Sequence, residues 1–372
     1  MFELLLAEAW DIDRSSAFVD WFYSTEFLFG IAKYAVCILI GMVIAYFVCT
    51  AEGKKLGINP DDILVCVTFV VPLSILGARV WYLLGDGVPT FKDYMDDYGF
   101  FTAIWYTILY TVGYNPVAHY YSGLAGLAIH GGVTVAAIMT IICSKWKKWK
   151  ISIISDLVAP GFFFGQIFGR WGNFFNQEAH GIVVGGWTLN EATKELIPNL
   201  TVTEQYARLT NDFHIPKFIA NYMYMNEGGS SYYYGIVDGV QSYGTLYGSN
   251  FFHPTFLYES LLNTIGLIIY FILRRMKFVK SGFFAGFYLI WYGVVRFFIE
   301  IIRTDSLYLP GTQLKLAQVT SIVMILLGIL IMIYIYFIKK TDNYVDILER
   351  VKRENEISMK KEDTEEVVEV KW

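Results

Sequence analysis

Apolar residues in this chain gather into seven long runs, at positions 27–49, 63–84, 120–143, 153–176, 256–273, 281–302 and 315–338. A helix needs roughly 20 mostly apolar residues to cross the hydrocarbon core of a bilayer, and each run predicts one such helix. The run at 120–143 contains no Asp, Glu, Lys or Arg, whereas the fourth, fifth and sixth each carry charge inside an otherwise apolar stretch. A further uncharged stretch, 99–113, is too short to span and reads as an interfacial or re-entrant segment. The expected fold class is an all-α polytopic membrane protein of about seven transmembrane helices.

The basic residues orient these helices. Lys54 and Lys55 follow the first run, Lys145, Lys147, Lys148 and Lys150 the third, Arg274, Arg275, Lys277 and Lys280 the fifth, and Lys339 and Lys340 the seventh. Lys and Arg accumulate in cytoplasmic loops, so the N-terminus is expected outside and the C-terminus inside. Residues 1–26 then form an extracytoplasmic N-terminal segment, 27–338 a membrane-embedded domain, and 339–372 a charged cytoplasmic tail, helical or disordered. Segments 85–119 and 177–255 lie outside; the second, rich in Tyr, Gly and Asn, is long enough for a small cap. The opening MFELLLAEAWDIDR is acidic where a secretory signal would be basic, so no cleavable signal is expected. No internal repeat stands out.

Composition agrees. Of 372 residues, 55% are hydrophobic and 17% charged, against about 25% charged in a soluble domain. Mean hydropathy is +0.44. Net charge is −5 and no basic stripe stands apart from the membrane flanks, which argues against nucleic-acid binding. Cys37, Cys49, Cys66 and Cys143 each sit in an apolar run without metal-ligand spacing, and read as small buried hydrophobes. Neither a metal nor another cofactor is expected.

Ionisable groups at bilayer depth cost several kcal/mol and usually mark a functional interior. His130 lies within LAIHGGV, Arg79 within GARVWYLL, Arg170 and Asn173 within GQIFGRWGNFFNQEAHG, and Glu178 just beyond. Glu259 follows His253 in HPTFLYES, and Arg296, Glu300 and Arg303 lie in VVRFFIEIIRTD. At a rise of about 1.5 Å per residue, Arg170 stands roughly 25 Å and Arg296 roughly 22 Å above the inner end of their helices, and His130 roughly 15 Å below the outer end of its own. All three fall in the central-to-outer membrane. Helical spacing puts Arg296, Glu300 and Arg303 on one stripe, and Arg170, Asn173 and Gln177 on another. Arg296 with Glu300 could be no more than a buried ion pair, Arg303 with Asp305 ordinary snorkelling ends, and His130 a core residue. Arg170, with no acid nearer in sequence than Glu178, asks for an anion, and lipid phosphate is the anion available at that depth.

These residues carry a resemblance. Residues 169–181, GRWGNFFNQEAHG, fit the pattern Gly-Arg-x-Gly-Asn-Phe-x-Asn-x-Glu-x-x-Gly of prolipoprotein diacylglyceryl transferases. His-Gly-Gly at 130–132, Ser155-Asp156 with Ala159-Pro160, HPTFLYE at 253–259, RFFIEIIR at 296–303 and Gln318 match as well, in order from residue 27 to about 338. The sequence departs from the family at Phe27-Leu28-Phe29-Gly30, where relatives often have a tyrosine before the glycine, and at Gly77-Ala78-Arg79, which replaces Gly-Gly-Arg. The loops 85–119 and 182–250 and the tail look longer than usual.

The resemblance implies a multi-pass enzyme of the bacterial plasma membrane. It would move the diacylglyceryl group of phosphatidylglycerol to the lipobox cysteine of prolipoproteins, with its active site towards the extracytoplasmic side. By resemblance Arg170 contacts the lipid head group, His130 and Arg296 match positions tied to activity, and Asn173, Glu178, Gly181 and Glu300 shape the site. Arg79, Arg303 and His253, in matching motifs, join the head-group pocket. Two other classes stay open: an anion or lipid transporter lined by Arg79, Arg170 and Arg296, and a non-catalytic membrane scaffold. A transporter site is expected near the midplane, often between repeated halves.

Overall fold

The computed structural model describes residues 32–85, 91–121, 129–226, 228–237, 240–309, 312–339 and 341–369. Among them, six helices are long and apolar enough to cross a membrane: Lys33–Lys55, Pro60–Leu83, Ile151–Asn176, Thr255–Leu273, Phe283–Ile302 and Leu316–Lys339. The chain is a multi-pass, mostly helical membrane protein. It divides into two compact units, one of Met1–Cys49 with Ser155–Arg353, the other of Thr50–Ile154 with Glu354–Trp372.

In the second unit, α2 (Pro60–Gly85) is followed by the short helices α3 (Phe91–Tyr98) and α4 (Phe100–Thr111) and later by α5 (Ile129–Trp146). The uncharged stretch at 99–113 is thus one helix of 12 residues. The third apolar run does not begin as a helix at 120. Tyr120–Tyr121 (β2) pairs antiparallel with Tyr114–Asn115 (β1), because the Asn115 side chain accepts from the amides of Val117 and Ala118 and closes a tight turn. The apolar helix described there is shorter, Gly131–Trp146, and residues 122–128 fall outside the described ones. Lys147 Nζ meets Asp62 Oδ1 at 2.6 Å, joining the end of α5 to the start of α2.

The first unit contains α1 (Lys33–Lys55) as far as Cys49, α6 (Ile151–Asn176) from Ser155, and α9 (Thr255–Leu273), α10 (Phe283–Ile302) and α11 (Leu316–Ile333). The helix α11 continues through a wider turn over Tyr334–Lys339. The reason these runs pack as they do is visible in α10. Phe284, Tyr288, Val295 and Ile299 recur at helical spacing and are buried, while Val294, Phe298 and Ile301 on the opposite face are exposed. Large exposed apolar side chains along whole helices are expected of a surface that meets lipid. A Cβ at Gly286 would lie 2.9 Å from the carbonyl oxygen of Gly328, so the glycines let α10 and α11 cross closely. The charged tail is helical from Tyr344 to Glu369 (α12), and Tyr344 at its start is fully buried.

Residues between α6 and α9 form a mixed cap rather than plain loop. Strands β3 (Trp187–Asn190), β4 (Glu195–Pro198), β6 (Ser230–Val237) and β7 (Val240–Leu246) make one sheet in the order β3-β4-β7-β6, with β4 and β7 parallel. Helices α7 (Val202–Ala207) and α8 (Lys217–Tyr222) and the strands β5 (Tyr224–Asn226) and β8 (Ser249–Phe251) complete it. Val183, Leu209, Ile219, Leu246, Phe251 and Phe252 form its core together with Phe174 from α6 and Phe256 from α9. The cap therefore shares its core with the ends of the helices that carry the candidate site.

Candidate active site

Arg170, on α6, and Arg296, on α10, converge on a third helix. Arg170 Nε lies 2.9 Å and Arg296 Nη1 3.6 Å from the same oxygen, Oε2 of Glu259 on α9. The Glu259 side chain is 1% exposed, against 18% for Arg170 and 15% for Arg296. Arg296 Nη2 also reaches Oε2 of Glu300 at 2.5 Å, one turn further along α10. That contact is ionic rather than an aligned hydrogen bond, since Glu300 Oε2 accepts none among the described residues. Arg303 Nε stands 4.0 Å from the same Glu300 oxygen. Three guanidinium groups thus face two buried carboxylates, an arrangement in which each charge depends on its neighbours to offset its desolvation.

Around this core the polar groups are ordered by the turn that ends α6. Arg170 Nη1 donates to Asn173 Oδ1 at 3.0 Å, and Asn173 Nδ2 donates to Glu178 Oε1 at 2.9 Å. Glu178 reaches back because Gln177 and Ala179 flank it with φ of 51° and 58°, and its amide bonds the Asn173 carbonyl at 3.1 Å. Left-handed residues other than glycine are uncommon and need support. Thr255 Oγ1 supplies it by donating to the Ala179 carbonyl at 2.5 Å. Gln177 leaves the Arg170–Asn173 stripe expected of it: α6 ends at Asn176, and the Gln177 side-chain Nε2 donates to the Tyr222 carbonyl.

Gly181, His253 and Arg303 meet where the cap joins the helices. The Gly181 amide donates to the His253 carbonyl at 2.9 Å and Ile182 to the Ile302 carbonyl at 2.8 Å. A Cβ on Gly181 would lie 2.8 Å from that of His253 and 3.2 Å from the Ile302 oxygen, so no larger residue fits without parting these strands. His253 Nδ1 lies 3.1 Å from the Tyr258 hydroxyl; burial, with the charge of Arg208, holds its imidazole below the ordinary range. Arg303 grips Asp305 through Nε at 2.8 Å and Nη2 at 2.6 Å. Burial pushes the Asp305 carboxyl up, but the Arg303 hydrogen bonds and charge hold it below the usual carboxylate range. Lys315 Nζ caps α10 by donating to the carbonyls of Glu300, Ile301 and Arg303.

Two expected site residues, Arg79 and His130, belong to the second unit. Arg79 is buried there, donates to the Tyr110 carbonyl at 3.3 Å and stacks near Tyr82 and Tyr110. The backbone of His130 is in the first turn of α5, and its side chain lies outside the described residues, as do residues 27–30.

With this geometry in view, the comparisons with known proteins are specific. The family model described as prolipoprotein diacylglyceryl transferase matches residues 23–334. A protein of Bacillus cytotoxicus named phosphatidylglycerol–prolipoprotein diacylglyceryl transferase is 34% identical over 305 residues, covering 82% of this chain and 88% of the relative. A namesake from Streptococcus agalactiae is 34% identical over 307 residues, covering 82% and 92%, and one from Bacillus mycoides 34% over 305, covering 82% and 88%. This chain belongs to the prolipoprotein diacylglyceryl transferase family.

Within the transferase, sequence reasoning missed several members of the cluster. Glu259 is visible as a charge in an apolar run, yet nothing in the sequence pairs it with arginines on two other helices. Tyr292, one turn before Arg296, lies within hydrogen-bonding reach of Arg170, and Gln166 donates to Tyr288 at 3.1 Å beneath it. Tyr34 on α1 packs its ring against Gly172, with Arg170 and Glu178 in its electrostatic surroundings. In sequence Tyr34 stands four residues after Gly30, whereas the family tyrosine is expected before the glycine, so the motif does not point to it. Among the described residues no group of His, Cys, Asp and Glu could hold a metal.

Proposed function

We propose that this transferase moves the sn-1,2-diacylglyceryl group of phosphatidylglycerol to the lipobox cysteine of prolipoproteins, the first step of bacterial lipoprotein maturation. The thiol sulfur attacks the glycerol carbon next to the phosphate. A carbon–sulfur bond forms, the carbon–oxygen bond to phosphate breaks, and glycerol phosphate leaves with the electron pair. The thiol proton goes to a base.

The observation that carries this reading is the sharing of Glu259 Oε2 by Arg170 and Arg296. A guanidinium has five N–H donors, and Arg296 Nη1, buried, makes no hydrogen bond among the described residues. The pair is fixed in place by carboxylates yet retains donors for a phosphate. Charge builds on the departing phosphate ester, and preorganised donors in a low-dielectric pocket are worth most there. Arg170 and Arg296 take that role. Asn173, Glu178, Glu300, Arg303, Gly181 and His253 shape the pocket, and Arg79 is assigned to head-group binding. A free thiol has a pKa near 8.5 and attacks as thiolate; His130 accepts its proton, directly or through water.

By the positive-inside distribution, the N-terminus lies outside and the C-terminus in the cytoplasm of a bacterial plasma membrane, with helix α5 as a seventh span. The residue ranges 1–26, 27–338 and 339–372 are then the outer segment, the catalytic domain and the tail. This puts the cluster and the cap on the extracytoplasmic side, where a prolipoprotein presents its cysteine.

The test uses purified protein, phosphatidylglycerol with a labelled acyl chain, and a lipobox peptide carrying Cys or Ser at the acceptor position. Label reaches the Cys peptide only. Label on neither peptide, with anion uptake by vesicles holding the protein, would favour the transporter instead.

A further inference from the structure

We propose that Asp156 is a positioning residue that sets the axial register of the three helices bearing Arg170, Glu259 and Arg296. The inference rests on the reading of that cluster as the reacting centre. Asp156 lies on α6, far along the helix from Arg170, and is fully buried. Its carboxylate caps the start of α10: Oδ2 accepts from the Gly282 amide at 2.6 Å and Oδ1 from the Phe284 amide at 2.8 Å. Carboxylates at helix N-termini satisfy orphan amides and complement the dipole.

The backbone of the same residue holds the third helix. In an α-helix the carbonyl of residue 156 would accept from the amide of residue 160, but that residue is Pro160, which has no N–H. The freed carbonyl accepts instead from the hydroxyl of Tyr270 on α9 at 3.2 Å, and Tyr270 is itself fully buried. Arg274 packs over the Tyr270 ring at 5.6 Å and donates to Tyr344 at 2.8 Å, closing the lower side. One residue therefore bonds α10 through its side chain and α9 through its main chain.

The heights agree. From this pin the rise is roughly 21 Å along α6 to Arg170, roughly 18 Å along α10 from Phe284 to Arg296, and roughly 17 Å along α9 from Tyr270 back to Glu259. The three side chains arrive at nearly one level, where Arg170 and Arg296 both reach Glu259 Oε2. A slip of one residue moves a helix about 1.5 Å along its axis and turns it by about 100°, enough to part such contacts.

The experiment places spin labels at Gly165 on α6, where an added Cβ meets nothing within 4 Å, and at the exposed Phe298 on α10. The full chain is used in nanodiscs with the four native cysteines replaced. Asp156→Asn retains size but offers one oxygen where two amides need acceptors. It should shift or broaden the label distance by about 1.5 Å and lower kcat for diacylglyceryl transfer roughly tenfold to a hundredfold, with KM for phosphatidylglycerol changed less than about twofold. Tyr270→Phe, which leaves the carboxylate bonds in place, should act in the same direction and more weakly, and serves if Asp156→Asn does not fold. An unchanged distance distribution in the variants would overturn the proposal. A shifted distribution with full turnover would uphold the pin and sink the reading of the arginine cluster as the reacting centre.

Discussion

Glu259 holds Arg170 at 2.9 Å although the whole cap separates them in sequence. The same carboxylate oxygen also faces Arg296, so one buried anion organises both cations proposed to meet the lipid phosphate. Removing it should be costly twice over. Replacing one partner of a buried ion pair typically destabilises by about 3–5 kcal/mol, because the other charge is left uncompensated. Glu259→Gln should lower the melting temperature measured in detergent and reduce transfer by more than about a hundredfold. A variant with ordinary stability and ordinary turnover would show that the carboxylate organises nothing.

His253 makes the join between cap and helices sensitive to acid. Its folded-state pKa lies below the ordinary 6.5, burial being the first cause. The unfolded chain therefore takes up the proton more readily, so stability is full above about pH 6.5 and falls as pH drops through that value towards the folded pKa. Hydrogen exchange of the amides of Gly181, Val184 and His253 should be faster relative to the helices at pH 5.5 than at pH 7.5. His253→Asn should flatten that difference; a pH-independent ratio in the native protein would contradict it.

Lys315 closes the end of α10 that bears Arg296, Glu300 and Arg303. It donates to three terminal carbonyls, and a cation at a helix C-terminus adds a favourable dipole interaction. Lys315→Met should cost about 1–3 kcal/mol in stability and weaken transfer by loosening Glu300. The check is thermal unfolding alongside the transfer rate. Unaltered unfolding would mean the carbonyls find other partners.

The outline of the fold was legible because its causes are local. Apolar runs of bilayer length located the helices Pro60–Leu83, Ile151–Asn176, Thr255–Leu273, Phe283–Ile302 and Leu316–Lys339 to within about three residues, while the first helix, Lys33–Lys55, ends six residues beyond its run. The sequence motifs named Arg170, Asn173, Glu178, Gly181, Arg296, Glu300 and Arg303, which the structure gathers along one polar seam. The remainder depends on contacts far apart in the chain. Nothing near Arg170 in sequence announces Glu259, and the isolated stripe expected to include Gln177 failed because α6 stops one residue earlier. The cap sheet was hidden for a similar reason: β4 and β7 pair in parallel across a long connection, and Tyr- and Gly-rich strands lack the alternation that marks a one-sided sheet. The third apolar run begins in a hairpin at Tyr120–Tyr121 and not in a helix, because an Asn115 side-chain turn folds residues too polar for the bilayer and too apolar to stand out from it.

His130 has a testable signature of its own. A base that accepts the thiol proton matters most when the thiol, with an ordinary pKa near 8.5, is protonated. His130→Asn should therefore depress the transfer rate more at pH 7 than at pH 9.5. An equal loss at both would assign the histidine to packing rather than proton transfer.

The central claim concerns the hold of Arg170 on the departing phosphate. The measurement that addresses it most directly is the initial rate of transfer from labelled phosphatidylglycerol to a lipobox Cys peptide by Arg170→Ala, reconstituted in nanodiscs and verified as folded. Loss of one preorganised donor to a developing oxyanion typically costs a hundredfold to a thousandfold, and the rate should fall by at least about a hundredfold. Transfer at close to the native rate would contradict the account.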